Sequence, residues 1–419
     1  MCPGRLARVA AAAALLALAS TPAAQPVAEA APPAEIRALW VLRTSLTSPS
    51  TIEALVRAAR EHGFNTLLVQ VRGRGDAYYD GGLEPRAADL QRQPAAFDPL
   101  ATLLEASRAA AIGVHAWVNV NLVSSAVDLP IARTHIINRH PDWLMVPREI
   151  AQDLARVPPR SPAYVGRLAR WTRGQEHVEG LYASPAVPAA AAHVEAVVAD
   201  IAGRYAVDGI HLDYARYPSS RFDYSRAALA EFKQAVRPGL AAADRARLDR
   251  RDAIDPFAYP DALPAEWKAF RVARMTALMR RLREAVRAAR PEALVTVAAA
   301  PDLREALDDK LQDWRGWLEA GLVDAVAPMA YTPEAERFAQ QIAAARDAAG
   351  ARAIWAGIGA WRLTAAQTID HIRTARRLGA AGIVLFSYDS LIDPKQAPAD
   401  YLAVVGRSAF AATSAAGSQ

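Results

Sequence analysis

The 419-residue chain has almost no cysteine and very little lysine. Its single cysteine, Cys2, precedes an apolar run typical of a leader, so the remainder can form neither a disulfide nor a thiolate nucleophile or metal site. The four lysines, Lys233, Lys268, Lys310 and Lys395, lie outside every segment with strand character. This placement argues against Schiff-base chemistry on a strand lysine.

Metal-binding and nucleic-acid-binding patterns are also missing. The eight histidines form no H-x-H or H-E-x-x-H pattern, and metal hydrolases on barrels usually group histidines at strand ends. We therefore predict no metal and no cofactor. The formal net charge of +5 comes from arginines scattered along the chain, so no nucleic-acid patch is expected. The charge favours, at most, an acidic polymer as partner.

A short apolar run near the N-terminus has the pattern of a secretory signal peptide. Arg5 and Arg8 precede the run at residues 9–19, and A-x-A patterns end at Ala19 and Ala30. The run is far shorter than the roughly 20 apolar residues that span a bilayer, so we expect no membrane insertion after cleavage. We predict a signal peptide and linker at 1–30, one catalytic domain at 31–410 and a disordered tail at 411–419. The protein is then periplasmic or secreted; its oligomeric state is not indicated.

Eight short apolar segments with strand character alternate with helical patterns. They begin near Arg37, Asn65, Gly113, Asp208, Leu294, Asp324, Ala353 and Ala381. Apolar strands that alternate with helices form parallel sheets covered on both faces, and eight such units favour a closed barrel over an open doubly wound sheet. The predicted fold class is α/β, a (β/α)8 TIM barrel. The strand spacing predicts extended loops after strands 2, 3 and 4, on the face where barrel enzymes have their sites.

Three helix starts are marked by capping signals. Ser50 with Glu53 has the pattern of a capping box, and so does Thr364 with Gln367. Asp98 comes directly before a proline, which favours Asp98 as N-cap with proline at the first helical position. These signals support helices between the predicted strands.

The fourth predicted strand, which begins at Asp208, ends in the densest polar and aromatic cluster of the chain, DGIHLDYARYP. Alternation places His211 and Asp213 on one side, facing the barrel axis if the aliphatic residues face the helices. We predict that Asp213 is a general acid with a raised pKa. The alternative is a carboxylate that only pairs with an arginine such as Arg216. Asp208 lies too far back to act with Asp213 and is expected to position the strand start.

A second catalytic carboxylate has to come from another strand unless the substrate participates. Asp302, after strand 5, is the predicted partner, with Asp76 and Asp389 as alternatives. Polar and aromatic residues near the other strand ends suit the hydroxyls and ring faces of a sugar polymer. The predicted substrate-binding residues are Gln70, Arg72, Asp76, Asn119, Asn121, His211, Tyr214, Arg216, Tyr217, Tyr331, Trp361 and Tyr388. Trp40 and Trp117 are expected in the core.

From residue 35 to about residue 405, the chain resembles the glycosyl hydrolase-like 10 family. The matching motifs are Arg37-Ala38-Leu39-Trp40, Gln70-Val71-Arg72 with Gly75-Asp76-Ala77, His115-Ala116-Trp117 with Asn119, His140-Pro141-Asp142-Trp143-Leu144, and Val207-Asp208-Gly209-Ile210-His211-Leu212-Asp213-Tyr214 with Arg216-Tyr217-Pro218. The resemblance implies hydrolysis of glycosidic bonds, in a group that includes bacterial envelope enzymes acting on peptidoglycan glycan strands. Some relatives have a second Asp where this chain has Tyr214, so a doubled carboxylate is not implied.

A more distant similarity is to chitinase-type barrels. Met329-Ala330-Tyr331 matches their M-x-Y motif on strand 6, whereas their strand-4 motif D-G-x-D-x-D-x-E is not kept. For a substrate that carries N-acetyl groups, this similarity implies a substrate-assisted retaining reaction, with Asp213 as acid and Tyr331 steadying the acetamido group. Two other function classes stay open: a non-catalytic glycan-binding barrel and a metal-dependent carbohydrate deacylase.

Overall fold

The computed structural model describes Met1 and residues 35–410. Apart from Met1, the predicted signal peptide and linker lie outside the described residues, and so does the predicted tail at 411–419. Within residues 35–410, every helix is too short or too polar to span a lipid bilayer.

Eight parallel strands close into a barrel in the order β1-β10-β9-β8-β7-β6-β3-β2. The barrel strands are β1 Ile36–Val41, β2 Thr66–Arg72, β3 Gly113–Asn119, β6 Gly209–Asp213, β7 Leu294–Ala299, β8 Ala325–Ala330, β9 Ala353–Ile358 and β10 Gly382–Phe386. Each begins within one residue of its expected position, and the predicted TIM barrel is confirmed. A separate antiparallel pair, β4 Leu122–Ser124 and β5 Leu181–Tyr182, lies in the insertion after β3.

Helices follow the barrel strands and occupy the insertions. Within the described residues they are α1 Pro49–Glu61, α2 Pro99–Ala109, α3 Ile136–Arg139, α4 Arg148–Ala155, α5 Pro162–Arg173, α6 Pro188–Arg204, α7 Arg226–Val236, α8 Ala242–Asp252, α9 Ala258–Ala262, α10 Pro264–Ala289, α11 Leu303–Asp308, α12 Trp314–Glu319, α13 Ala335–Ala349, α14 Ala365–Arg377, α15 Tyr388–Ile392 and α16 Tyr401–Val405. The long loops predicted after strands 2, 3 and 4 are present, and the fourth barrel strand is β6.

The caps of three helices test the sequence signals. Asp98 caps α2 by accepting the N–H of the third helical residue, and Thr364 forms a capping box with Gln367 at α14, both as predicted. The prediction for α1 was wrong by two residues, because Ser48 is the N-cap and closes a capping box with Thr51. A proline at position 49 supplies the first helical residue, since its fixed φ suits that position.

Alternation along the strands divides the apolar residues between two cores. In β2, Leu68 belongs to the barrel interior, whereas Leu67 and Val69 pack outward against the helices. The interior also contains Trp40 and Trp117, which confirms their predicted burial. Large tryptophans facing small alanines fill a small barrel without leaving a pore.

The two longest insertions have hydrophobic cores of their own. The segment after β3 packs α3 to α5 around a cluster that includes Ile137, Tyr164 and Leu168. The segment after β6 packs around Phe232 and Trp267. The rim of the barrel is therefore extended by packed structure, which positions residues beyond the strand ends.

Candidate active site

A cavity of about 510 Å³ opens at the carboxyl ends of the barrel strands, where barrel enzymes have their sites. We call it the central cavity. Its lining residues are Trp40, Leu42, Arg43, Thr44, Gln70, Arg74, Trp117, Asn119, Leu122, Glu179, Asp213, Tyr214, Arg216, Ala298, Met329, Tyr331 and Phe386. Six predicted site residues meet here: Gln70, Asn119, Asp213, Tyr214, Arg216 and Tyr331.

Asp213, the last residue of β6, lines the central cavity and is only 8% exposed. Burial raises the pKa of Asp213 to about 6; the charge of Glu179 adds to the shift, whereas the Tyr214 N–H and the Arg216 charge oppose it. The Tyr214 N–H donates to Asp213 Oδ1 at 2.6 Å. Tyr214 has a φ of +50°, in the left-handed region that non-glycine residues rarely adopt outside special sites. The carboxyl group is thus oriented by a strained backbone turn and biased towards its protonated form.

Glu179 is the one other carboxylate that lines the central cavity within residues 35–410. It precedes β5 in the insertion after β3. Its Oε1 accepts from Arg216 Nη2 at 2.7 Å, and its Oε2 accepts from the Tyr182 hydroxyl at 2.5 Å. Burial opposes ionisation, but the Arg216 charge and these hydrogen bonds outweigh it and lower the pKa of Glu179. The cavity therefore holds one carboxyl biased towards protonation and one biased towards ionisation.

Arg216 forms its ion pair with Glu179 and not with Asp213. Its guanidinium also lies over the Tyr214 ring, 4.8 Å from the ring centroid. The geometry therefore does not support the alternative in which Asp213 serves only as an ion-pair partner of Arg216. Sequence reasoning missed Glu179, because it lies in an insertion and at no strand end.

Amide side chains connect the walls contributed by β2 and β3. Arg43 Nη1 donates to Gln70 Oε1 at 2.8 Å, and Gln70 Nε2 donates to Asn119 Oδ1 at 3.4 Å. Asn119 also accepts from Trp117 Nε1 at 2.8 Å and donates to the Gly73 carbonyl at 2.7 Å. Gln70 and Asn119 are thus fixed at the predicted place, and Gln70 orients an arginine that sequence reasoning did not select.

Aromatic rings form much of the cavity floor. Trp40 meets Tyr331 edge-on, with centroids 6.1 Å apart, and Tyr331 and Phe386 lie 5.5 Å apart. Trp40 and Trp117 are therefore both barrel core and cavity surface. The predicted residue Trp361 is 36% exposed and packs edge-on against Tyr331, so it lies beside the lining and not in it.

His211 lies inside the barrel and supports the floor from below. It is completely buried, accepts from Trp40 Nε1 at 2.9 Å through Nε2, and places Nδ1 2.9 Å from Thr296 Oγ1. Burial lowers the pKa of His211 to about 3, so the ring is neutral. Its orientation towards the axis is as predicted, but its contacts make it a support for Trp40 and not a cavity residue.

Arg72 was predicted to bind substrate, but it is a buried structural residue. Its Nε and Nη2 donate to the two Glu84 oxygens at 2.7 and 2.6 Å, and His193 Nε2 lies 3.0 Å from Glu84 Oε1. Burial opposes ionisation of Glu84, yet Arg72 and His193 hold its pKa at about 2. The fork of a guanidinium matches a carboxylate, so this pair ties the loop after β2 to the barrel wall.

Three further predicted residues also lie outside the central cavity. Asn121 Nδ2 donates to the Arg216 carbonyl at 3.1 Å, which fixes the chain beyond β6. Tyr217 is fully buried and packs in the outer core. Tyr388 is 3% exposed and begins α15. Their predicted contact with substrate is corrected to a packing role, because strand-end position alone does not separate lining from supporting side chains.

None of the three predicted partner carboxylates lines the cavity with Asp213. Asp302 is exposed and caps α11. Asp76 accepts the backbone N–H of Arg74 at 2.9 Å, and Asp389 accepts from the loop after β1. Asp302, the predicted second catalytic residue, is therefore engaged at a helix start and lies away from Asp213, whereas Glu179 lines the same cavity as Asp213.

Two further cavities flank the central one. The first flanking cavity, of about 350 Å³, shares Arg43 and Arg74 with it. The second flanking cavity, of about 590 Å³, shares Glu179 and Arg216 with it. The shared residues differ, so the two flanking cavities adjoin different parts of the wall of the central cavity, which Asp213 lines.

Over residues 35–410, no three histidine, cysteine or carboxylate side chains are grouped so as to hold a metal ion. The central cavity instead presents two carboxylates, arginines, amides and aromatic rings. This set suits proton transfer and recognition of hydroxyl-rich ligands.

Residues 35–370 match the family described as Glycosyl hydrolase-like 10. The chain belongs to this family. The resemblance inferred from the sequence motifs is thereby confirmed. The match covers seven of the eight barrel strands, ends within α14 and includes every residue that lines the central cavity except Phe386.

Curated relatives are similar at low identity. Glycosyl hydrolase YngK of Bacillus subtilis (strain 168) is 22% identical over 329 residues, which cover 71% of this chain and 54% of the relative. Glycosyl hydrolase DigH of Escherichia coli (strain K12) is 23% identical over 289 residues, covering 65% of this chain and 55% of the relative. The chain thus spans about half the length of the curated relatives it matches.

Solved structures share the fold. The glycoside hydrolase domain of PgaB (BpsB) from Bordetella bronchiseptica has a TM-score of 0.60 at 16% identity, covering 86% of this chain and 97% of that one. The catalytic domain of β-amylase from Paenibacillus polymyxa has a TM-score of 0.59 at 11% identity, covering 90% and 97%. At these identities the similarity establishes the barrel fold.

Proposed function

We propose that this protein is an exported glycoside hydrolase that cleaves a polysaccharide, in particular a cell-wall glycan of the peptidoglycan type, with Asp213 as general acid. The principal observation is that Asp213 and Glu179 line one cavity but have pKa values shifted in opposite directions. Two carboxyl groups with pKa values pushed apart are the arrangement from which acid and base roles follow.

Each carboxyl group has a defined part in this proposal. Protonated Asp213 donates its proton to the glycosidic oxygen as the bond to the anomeric carbon breaks. Ionised Glu179 stabilises the positive charge that develops on the sugar and takes a proton from the water that adds to the anomeric carbon. The proton returns to Asp213 through solvent, so the net reaction consumes one water molecule.

Three adjoining cavities support a polymeric substrate. Sugar units can extend from the central cavity into the flanking cavities that share its wall, while Trp40, Tyr331 and Phe386 offer apolar surface to ring faces. Export is proposed from the signal-peptide pattern at residues 1–30. An exported hydrolase with a polymer-sized cleft is suited to a glycan of the cell envelope.

The proposal is tested by incubating the purified chain from residue 31 onward with peptidoglycan glycan strands, and reading products by mass spectrometry. We expect the native chain to release short saccharides. Asp213→Asn should lower the rate by a factor of about 10² to 10⁴, the usual contribution of a general acid. Asp302→Asn is the matched control, because this carboxylate only caps α11, and it should cleave at the native rate.

Glu179→Gln separates two reaction routes. If Glu179 acts as described, this variant should also lose most activity. If it keeps native activity while Asp213→Asn does not, the substrate's own acetamido group assists and the role of Glu179 is wrong. A native chain that releases no saccharide, or an Asp213→Asn variant as fast as the native chain, would refute the hydrolase proposal itself.

A further inference from the structure

Two arginines on the wall of the central cavity form no ion pair with any carboxylate of residues 35–410. Arg43 and Arg74 are both partly buried and both line the central cavity and the first flanking cavity. Neither forms an ion pair with a described carboxylate, whereas Arg216, the third arginine of the central cavity, is paired with Glu179. The wall between the two cavities thus presents two guanidinium groups that form no ion pair with a described carboxylate, and the charge of Asp76 acts on Arg74 at a greater distance.

The contacts of these arginines orient them without neutralising them. Arg43 Nη1 is held at 2.8 Å by Gln70, a neutral amide that is itself bonded to Asn119. The Arg74 backbone is fixed on both sides: its N–H donates to Asp76 Oδ1 and its carbonyl lies 2.8 Å from His135 Nε2. Its guanidinium makes no hydrogen bond with another described residue, so both arginines keep donors for a ligand.

The charges around this wall also favour an anion. The central cavity has three arginines against Glu179 and Asp213, so positive charge exceeds negative charge by one even when both carboxyl groups are ionised. Burial and the nearby charge of Arg43 lower the pKa of Arg74, which is the sign of two like charges held together. Asp76, Asp89 and Asp128 belong to the first flanking cavity, and not to the central one.

We propose that Arg43 and Arg74 form a carboxylate-binding subsite, which selects a glycan with an acidic group next to the bond that is cleaved. The proposal rests on the proposed hydrolase function and specifies its substrate. A guanidinium offers paired N–H donors that match a carboxylate, and two converging arginines recognise an anion more strongly than neutral hydroxyl groups. The acidic group can belong to the sugar unit itself or to an attached peptide.

Binding is measured by calorimetry on the Asp213→Asn form, which limits turnover. The probes are peptidoglycan glycan strands with and without stem peptides, and the same strands after chemical reduction of their carboxyl groups to alcohols. We expect the reduced strands to bind at least tenfold more weakly. Adding Arg43→Gln or Arg74→Gln should lower affinity for the acidic strands at least tenfold and leave affinity for the reduced strands nearly unchanged.

Two further variants keep the result interpretable. Arg139→Gln, at the end of α3 and outside all three cavities, is the control and should bind like its parent. Arg43→Lys keeps the charge and should retain part of the affinity, and thermal unfolding checks that every variant is folded. Attachment of the stem peptide converts the sugar's carboxyl group to an amide. Tighter binding of strands without peptides therefore assigns the carboxylate to the sugar, and tighter binding of strands with peptides assigns it to the peptide.

Three results would overturn the subsite. Acidic and reduced strands bind with equal affinity, the arginine variants lose equal affinity for both kinds of strand, or the acidic strands do not bind. The cleavage assay separates this failure from that of the hydrolase proposal. A native chain that cleaves reduced strands at the native rate is a hydrolase without the subsite. A chain that binds in a carboxylate-dependent manner but never cleaves has the subsite without the activity.

Discussion

The ionisation of Asp213 links activity to stability at the scale of single residues. Burial raises the pKa of this carboxyl group to about 6, and the same burial makes its ionised form unfavourable in the folded protein. The burial that suits Asp213 to its proposed role as general acid therefore lowers the unfolding free energy near neutral pH. Two measurements follow from this link.

The first concerns the pH dependence of catalysis. Asp213 has to be protonated to donate, so kcat/KM should fall as the pH rises through about 6. Ionised Glu179, whose pKa is lowered, should give the limb at lower pH. A profile of kcat/KM between pH 3 and 9 checks both limbs, and a constant rate from pH 5 to 9 would contradict the assignment of Asp213.

The second concerns the unfolding free energy of Asp213→Asn. The folded pKa of about 6 exceeds the unfolded value, so the stability contributed by proton binding is full below about pH 4 and is lost as the pH rises through 6. The neutral amide avoids this loss, and the variant should be about 1–3 kcal/mol more stable than the native chain at pH 8. Urea titrations at pH 4 and pH 8 measure the difference in unfolding free energy between the variant and the native chain. This difference should be smaller at pH 4 than at pH 8. A difference that does not change with pH would be inconsistent with the raised pKa.

At the scale of elements, the N-cap of α1 is Ser48 in the structure, whereas the sequence pattern predicted Ser50. Ser48 accepts the Thr51 N–H at 3.2 Å, while Ser50 lies inside the helix. Ser48→Ala should lower the unfolding free energy by about 1 kcal/mol. Ser50→Ala is the matched control and should have little effect, as measured by urea denaturation. A larger loss for Ser50→Ala would restore the sequence-based assignment.

The loop after β2 depends on a buried ion pair. The side chains of Arg72 and Glu84 are 1% and 2% exposed, so removing one charge leaves the other without a partner. Glu84→Gln should lower the unfolding free energy by about 3–5 kcal/mol. Glu319→Gln breaks the exposed pair with Arg315 and should change it by less than about 1 kcal/mol. Equal effects on the urea midpoint would show that the buried pair has no special role.

Elements were more predictable from the sequence than site residues. Buried parallel strands are nearly continuous apolar runs, so β7 and β10 can be recognised from their residue types alone. Asp213 and Asn119 were found because strand ends converge on one face. Glu179 was missed because a folded insertion brings it to the cavity, and nothing in local sequence reports that contact. Asp302 was chosen wrongly because a strand-end carboxylate and a helix cap have the same sequence position.

At the scale of the whole molecule, buried histidines determine behaviour in acid. Burial lowers the pKa of His115 to about 4 and that of His211 to about 3. Both folded values lie below the unfolded value near 6.5, so the stability they contribute is full above pH 6.5 and is lost as the pH falls towards their folded pKa values. The native chain should therefore lose several kcal/mol of unfolding free energy between pH 7 and 4.5.

Unfolding by urea across this pH range measures how much unfolding free energy is lost. The unfolding free energy of His211→Gln should fall less steeply with decreasing pH than that of the native chain. Because Gln keeps hydrogen-bonding groups but does not titrate, its stability relative to the native chain should improve as the pH falls. His62→Gln is the control, since this residue lies at the C-terminus of α1 and is partly exposed. Identical slopes for the three proteins would exclude His211 as the source.

The separate hydrophobic core of the insertion after β3 has a consequence for how this enzyme class can diversify. Asp213 belongs to a barrel strand, but Glu179 arrives on the insertion, which packs around residues such as Ile137 and Leu168. Mutations in that segment can move Glu179 or the Tyr182 hydroxyl that donates to it, without altering the strand that carries Asp213 or Arg216, which follows that strand. Of the two carboxyl groups proposed to act together, one is thus fixed by the barrel, and the other lies on a segment that can change in sequence independently of the barrel.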